Sequence, residues 1–278
     1  MSIRYAVGLP NVGGFGDPRL LVEFAVLAEE SGWDGVYLWD HILYHDPAWP
    51  VANPIVTAGA IAAVTRRIRL IVMHVMPRRR AQVVARESVT LDTLSGGRLT
   101  LAAAIGSMDR EYAGFGESPS LPARGAALDA ALEDLDRLWT GESVVVSRGS
   151  EPVRMTPAPV QRPRIPIWCG GRWPNRTPLR RAARYDGALP TFVDQRQRVL
   201  PVSEFAAATS FIASQRDGGL DGFDIALEGF SDPGAAASVA APYVGSGLTW
   251  WVEALGWWRT PDPADAIAHA RTRITASP

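Results

Sequence analysis

The chain has 278 residues, a length that α/β barrels reach as one unit, and 47% of them are hydrophobic, enough to bury a sizeable core. Its formal net charge of -1 at pH 7 offers no cationic face to nucleic acid or to an anionic membrane, so small molecules are the expected partners. Every basic side chain is Arg and none is Lys, which excludes Schiff-base chemistry and a P-loop lysine. The single Cys169 has no partner within the chain, no basic stretch leads into an apolar signal core, and no apolar run is long enough to span a bilayer. A reducing cytoplasm is the expected location.

In chain order, Tyr5 to Leu9 reads as a buried strand, and Asp17-Pro18 supplies an N-cap and a first-turn proline for an amphipathic helix ending near Ser31-Gly32. Gly35 to Trp39 is the next strand, and after a Pro-containing loop a helix spans about Asn53 to Thr65. Ile68 to His74 is continuously apolar and rich in β-branched residues, the mark of a parallel strand covered on both faces. Ala81 to Leu94 has helical spacing, and Ser95-Gly96-Gly97 stops it. Leu99 to Ile105 is a fourth strand, Gly106 to Pro122 a long loop at its exit, and Ala123 to Trp139 a fourth helix.

From Thr140 to Gln161 the alternation lapses into Gly, Pro and Ser around a short run at Val144 to Val146, which predicts a hairpin-like insertion rather than a linker. Alternation resumes with a strand at Ile167 to Cys169, a helix capped at Thr177-Pro178 and reaching Tyr185, a strand at Gly187 to Thr191, and a helix at Ser203 to Arg216. Ile225 to Glu228, Pro233 to Val244, Thr249 to Val252 and Pro261 to Ile274 complete the series. Eight alternations predict a (β/α)8 TIM barrel, taken as one domain over 1–278 with a short insertion after the fourth helix. A doubly wound sheet would carry a dinucleotide fingerprint after its first strand, and Gly13-Gly14-Phe15-Gly16 lacks that spacing.

In such a barrel every loop leaving a strand faces one mouth, so Asp40, His41, His74, Gly106, Ser107, Glu111, Gly170, Gly171 and Arg172 are expected to converge. An imidazole handles protons near neutral pH, and the carboxylate beside it either binds a ring or fixes the loop. The alternative is that Asp40 caps a turn and His41 satisfies backbone groups. Cys169-Gly170-Gly171-Arg172 offers exposed amides, a nearby helix start and a guanidinium, a phosphate seat without lysine, or else a tight turn. Gly106-Ser107 is either a turn or a close approach to a ligand. Arg78-Arg79-Arg80 either attracts an acidic tail or, more commonly for three adjacent Arg, is solvated or paired on the surface. Trp250, Trp251, Trp257 and Trp258 line a chamber or close the barrel. His45 and Trp49 belong to a loop placed to cover the substrate.

The run from Trp33 to Leu43, with Leu94-Ser95-Gly96-Gly97-Arg98-Leu99 and Gln161-Arg162-Pro163-Arg164-Ile165-Pro166-Ile167-Trp168-Cys169-Gly170-Gly171, is similar to the bacterial-luciferase-like oxidoreductase superfamily. The resemblance implies a barrel binding a flavin or deazaflavin ring at its C-terminal mouth, with His41 and Asp40 beside the reactive face as the catalytic pair. It also implies cofactor contacts from His74 and Val75, which fall where many members carry a non-prolyl cis peptide in a bulge behind the ring. Gly106 and Ser107 would approach the ring or side chain, and Gly170, Gly171 and Arg172 the phosphate region. Relatives often place a smaller hydroxyl residue where His74 stands.

Trp39-Asp40-His41 and Pro77-Arg78-Arg79-Arg80 look more like members that use coenzyme F420 for hydride transfer to or from a small organic substrate. The competing expectation is an FMN-dependent monooxygenase using reduced FMN. Either implies a separate flavin or F420 reductase, and relatives pair as homodimers through barrel helices. A non-catalytic barrel serving as a binding module is a third reading. A hydrolytic barrel using Asp40 with Glu111 lacks an accompanying metal-ligand cluster, and no metal is expected.

Overall fold

The computed structural model describes residues 3–260 and 262–278. The first strand, β1 (Arg4–Leu9), leads to α1 (Pro18–Glu30), whose start is fixed by the Asp17 side chain accepting from the Arg19 N–H. β2 (Gly35–Leu38) precedes α2 (Pro54–Val64), capped by Asn53, and β3 (Arg69–Val75) precedes α3 (Ala81–Ser95), closed by Gly96 at φ 65°. That left-handed conformation is open to glycine and strained for most other residues, so Ser95-Gly96-Gly97 does terminate the helix. β4 (Leu99–Ala104), the single turn α4 (Arg110–Ala113) and α5 (Leu121–Leu138) follow.

The insertion carries an antiparallel hairpin, β5 (Ser143–Val144) with β6 (Val153–Arg154). Beyond it run β7 (Ile167–Arg172), α6 (Arg176–Ala182), β8 (Gly187–Thr191), α7 (Val202–Ala213), β9 (Asp224–Gly229), α8 (Ala236–Val244), β10 (Trp250–Ala254) and α9 (Pro263–Thr275). The start predicted for the last helix, Pro261, lies outside the described residues.

Eight strands close in the order β1-β2-β3-β4-β7-β8-β9-β10, with β10 returning to β1, and every barrel pair is parallel. This is the predicted (β/α)8 TIM barrel. Side chains alternate across the wall. Ala6, Tyr37, Ile71, Met73, Ala102, Trp168, Leu189, Ala226, Trp250 and Val252 fill the interior, while Val7, Val36, Leu70, Val72, Leu101, Ile167 and Cys169 pack outward against the helices. Burial pushes the Cys169 thiol up to about 12, so it is an outer-layer packing group.

Two boundaries differ in a way that matters for the site. β7 does not end at Cys169, because Gly170, Gly171 and Arg172 continue the ladder opposite Leu189, Pro190 and Thr191. The following helix is capped by Asn175 rather than by Thr177-Pro178, and it stops at Ala182, short of Tyr185. Pro178 instead packs on Gly171, where an added Cβ would stand 2.5 Å from the Pro178 Cβ.

The insertion is tied to the N-terminal face of the barrel. The buried Asp92 carboxylate accepts from the backbone N–H groups of Val160 (2.8 Å) and Gln161 (3.1 Å) and from Gln161 Nε2 (2.7 Å), and Gln161 Nε2 also donates to the Leu99 carbonyl. Arg69 Nη2 donates to Gln161 Oε1 at 3.1 Å.

The paired glycines thus have different reasons for their size. Gly171→Ala forces an overpacked contact with Pro178 and is expected to cost about 1–3 kcal/mol in urea denaturation. At Gly170 the added Cβ would meet Ala104 Cβ at an ordinary 3.6 Å, so Gly170→Ala is expected to stay within about 0.5 kcal/mol of wild type.

Candidate active site

Asp40 lies two residues beyond the end of β2, after Trp39, and is almost completely buried. Its Oδ2 accepts from the Val75 N–H at 2.7 Å, and its Oδ1 pairs with Arg79 Nη2 at 2.9 Å. Arg78 Nη2 donates to the Asp40 backbone carbonyl at 2.6 Å. Burial by itself would raise the carboxyl, but Arg79, Arg78 and the Val75 N–H outweigh it and hold the group below its ordinary value. Asp40 therefore locks the exit of β3 to the exit of β2, the loop-fixing role of the two considered.

Arg78 also reaches Glu111 Oε1, 2.7 Å from its Nη1. The same Glu111 oxygen faces His41 Nδ1 at 3.3 Å and accepts from the Ile42 N–H at 2.8 Å, while Oε2 is buried without a partner among the described residues. Burial pushes the Glu111 carboxyl up, and the His41 hydrogen bond, the His41 charge and Arg78 more than offset this, leaving it ionised below its usual range. An ionised carboxylate at Nδ1 selects the tautomer with the proton on Nδ1, so in the neutral ring Nε2 carries the lone pair. Asn11 completes the setting, donating from Nδ2 to the His41 and Ala52 carbonyls and accepting from the His41 N–H at 3.2 Å. Nothing in the sequence marked Asn11, because a buried amide serving backbone groups leaves no periodic signal.

The other expected contacts divide. His74 shares its face of β3 with Leu70 and Val72, so its ring turns away from the barrel interior into the layer beneath the helices. Nδ1 lies 3.0 Å from the Val72 carbonyl oxygen, and burial, then Arg79, lower the ring to about 4. His74 is a neutral core histidine, and the expectation that it touches a ligand in the mouth is corrected accordingly. The three cis peptide bonds of the described residues all precede proline, at Pro157, Pro163 and Pro174, and the His74-Val75 bond is not one of them. Val75 itself points inward, against Gly106.

Gly106 adopts φ 75°, and a Cβ there would meet Val75 Cγ1 at 2.9 Å and Tyr112 Oη at 3.1 Å, so the turn requires glycine. Ser107 is exposed. Gly170 faces the interior in register with Trp168, while Gly171 faces Pro178 on the outside. Arg172 is exposed at the rim and, among the described residues, forms no ion pair. A phosphate seat combining both glycines with a helix start is thus not what β7 builds; Gly170 and Arg172 share the mouth side, and Gly171 does not. Arg78 and Arg79 are not surface groups, with side chains only 6% and 18% exposed. Their position just past the apolar strand β3, the neighbour of the strand that delivers Asp40, was the signal for it.

Above this frame stands an aromatic wall. His41 lies 5.0 Å from Tyr44 and 5.9 Å from Trp39 between ring centres, Tyr44 stacks on Trp49, and Trp257 stacks on Trp258 at 4.8 Å. Trp257 and Trp258 thus line the mouth, while Trp250 and Trp251 are core. Arg196, from the loop after β8, lies 4.4 Å from the Trp39 ring centre and pairs with the buried Glu228 at the end of β9. Opposite the wall the floor consists of the small, half-buried Ala104 and Gly170 at the ends of β4 and β7.

Residues 4–230 match the luciferase-like monooxygenase family. The chain belongs to that family. A curated relative, the F420-dependent glucose-6-phosphate dehydrogenase of Microbacterium testaceum, is 32% identical over 169 residues, which cover 58% of this chain and 49% of the relative. The chain thus spans about half the length of the relative. Among solved structures, the coenzyme F420-dependent tetrahydromethanopterin reductase of Methanopyrus kandleri superposes with a TM-score of 0.73 at 15% identity, covering 99% and 98% of the two chains. The monooxygenase RslO1 of Streptomyces bottropensis gives 0.72 at 18% identity, covering 98% of each. Both share the fold of this luciferase-like chain. No described helix is long and apolar enough to cross a membrane.

Asp40→Ala removes the one acceptor shared by Val75 and Arg79, and a loss of about 3–5 kcal/mol near neutral pH is expected. Because the carboxyl is depressed in the folded protein, its contribution is present above the unfolded-state value and disappears as pH falls through the folded one. The gap between wild type and Asp40→Ala in urea denaturation is therefore expected to narrow below about pH 4.

Proposed function

We propose that the chain, read as one domain, is an F420-dependent oxidoreductase that moves a hydride to or from a small organic substrate. The observation that carries the reading is the placement of His41, tied through Nδ1 to Glu111, on the same rim as the uncovered floor of Ala104 and Gly170. A flat heterocycle needs such a floor, because a larger side chain at either position would fill it. Arg172 at that rim suits an acidic tail, and the unpartnered Trp39 Nε1 and Glu111 Oε2 are polar atoms that a ligand can satisfy. The F420 dependence named for the Microbacterium testaceum relative supports this cofactor over FMN.

Bound deazaflavin supplies the hydride acceptor or donor. This chain's residues handle the proton. Nε2 of His41 accepts it from a substrate hydroxyl, or returns it in the reverse direction, while Glu111 holds the ring in place and stabilises the imidazolium. Arg78 fixes Glu111, and Asp40 fixes Arg78. The aromatic wall keeps water from the reacting atoms.

We also infer a homodimer. α2 is apolar all round, and its outer face exposes Val56 (72%), Ala60, Ala63 and Val64 (54%), with open space beside Gly59. A helix of that composition belongs in an interior, and a second copy supplies one.

His41→Ala is expected to lower kcat by about 10²–10⁴-fold while F420 affinity, read from its fluorescence, stays near that of wild type. Unchanged turnover would point to the non-catalytic barrel, and oxygen uptake with reduced FMN in place of F420 turnover would point to the monooxygenase. Ala60→Arg places charge on the exposed α2 face and is expected to shift the sedimentation coefficient from dimer to monomer without loss of helical signal.

A further inference from the structure

The ion-paired charges set into the strand exits cancel. Asp40, Glu111 and Glu228 are paired with Arg78, Arg79 and Arg196, three anions against three cations. Arg196 is the one of these that faces the aromatic wall, held between Trp39 at 4.4 Å and Trp258 at 5.2 Å from its guanidinium carbon. Its charge is already engaged, since Nη2 stands 2.5 Å from Glu228 Oε2, and Glu228 is only 1% exposed. An incoming phosphate or carboxylate would have to share Arg196 with that carboxylate and bring a second negative charge beside it.

The same contact group is short of partners for its neutral valences. Among the described residues, Trp39 Nε1 and Arg196 Nε are buried donors without acceptors, and Glu228 Oε1 is a buried acceptor without a donor. Gly8 on β1 leaves room beside Glu228 Oε1, where a Cβ would stand 3.4 Å from that oxygen. A hydroxyl is the small uncharged group that both donates and accepts, so it can satisfy an acceptor and a donor at once. Its carbon frame would meet Trp39, Trp258, Trp257 and Tyr44, which favour apolar faces.

We propose that the Arg196–Glu228 pair is a substrate-recognition device, selecting an uncharged, hydroxyl-bearing molecule with an apolar frame and turning away its phosphorylated counterpart. The proposal deepens the reading of the mouth as a redox chamber and rests on it. It also separates this chain from relatives named for a sugar phosphate.

The test is a matched pair of probes, cyclohexanol and cyclohexyl phosphate, titrated calorimetrically into the full chain loaded with F420. Wild type is expected to bind the alcohol at least tenfold more tightly than the phosphate. Glu228→Gln, which frees Arg196 while keeping the side chain's shape, is expected to shift that preference at least tenfold toward the phosphate, and Arg196→Met to abolish the gain. Tighter binding of cyclohexyl phosphate by wild type, or no measurable binding of cyclohexanol, overturns the proposal. If Glu228→Gln fails to fold by circular dichroism, the wild-type pair of titrations decides alone. F420 loading is followed separately by its fluorescence. Normal loading with the wrong probe preference removes only the substrate class, whereas failure to load removes the F420-dependent reading itself.

Discussion

The exit of β2 is bound to the exit of β3 by one carboxylate, and the rest of the mouth is arranged around that join. Asp40 accepts the Val75 N–H at the end of β3, beyond the last β2–β3 pair of Leu38 with Val72, and it neutralises Arg79. With its own carbonyl it orients Arg78, and Arg78 in turn seats Glu111, which comes from the far side of the β4 exit loop. Three segments distant in sequence are thereby fixed relative to His41. A buried charge persists only when fully paired, so each member depends on the others.

This dependence explains which parts of the molecule were legible in the sequence. The barrel was, because parallel strands buried on both faces read as continuous apolar runs, and because Asp17-Pro18 and Gly96 mark helix ends by local stereochemistry. The convergence of His41 with Glu111 followed from the barrel rule alone. What escaped was direction. His74 sits one residue from a mouth-facing position, and the alternation that sends Ile71, Met73 and Val75 inward turns its ring outward with Leu70 and Val72. Gly170-Gly171 looked like one loop device, but alternation sends the two residues to opposite sides of the wall. Arg78 and Arg79 looked like solvated charges, because their acidic partners lie tens of residues away. Arg196 and Glu228 gave no signal beyond a carboxylate at the end of an apolar strand.

The mouth that results is polar in its anchoring and apolar in its lining. Ion pairs set into the rim hold the geometry without presenting net charge inward, and stacked Trp and Tyr rings supply contact area at low entropic cost.

The attachment of the β5–β6 insertion has a consequence of its own. It hangs from Asp92 and Gln161 at the end of the barrel opposite the reactive rim, and those bonds close before β7 begins. Its length can therefore drift across generations without moving a single group in the chamber. Evolution can lengthen it, trim it or recruit it as a contact with other macromolecules while the chemistry at the other end stays unaltered.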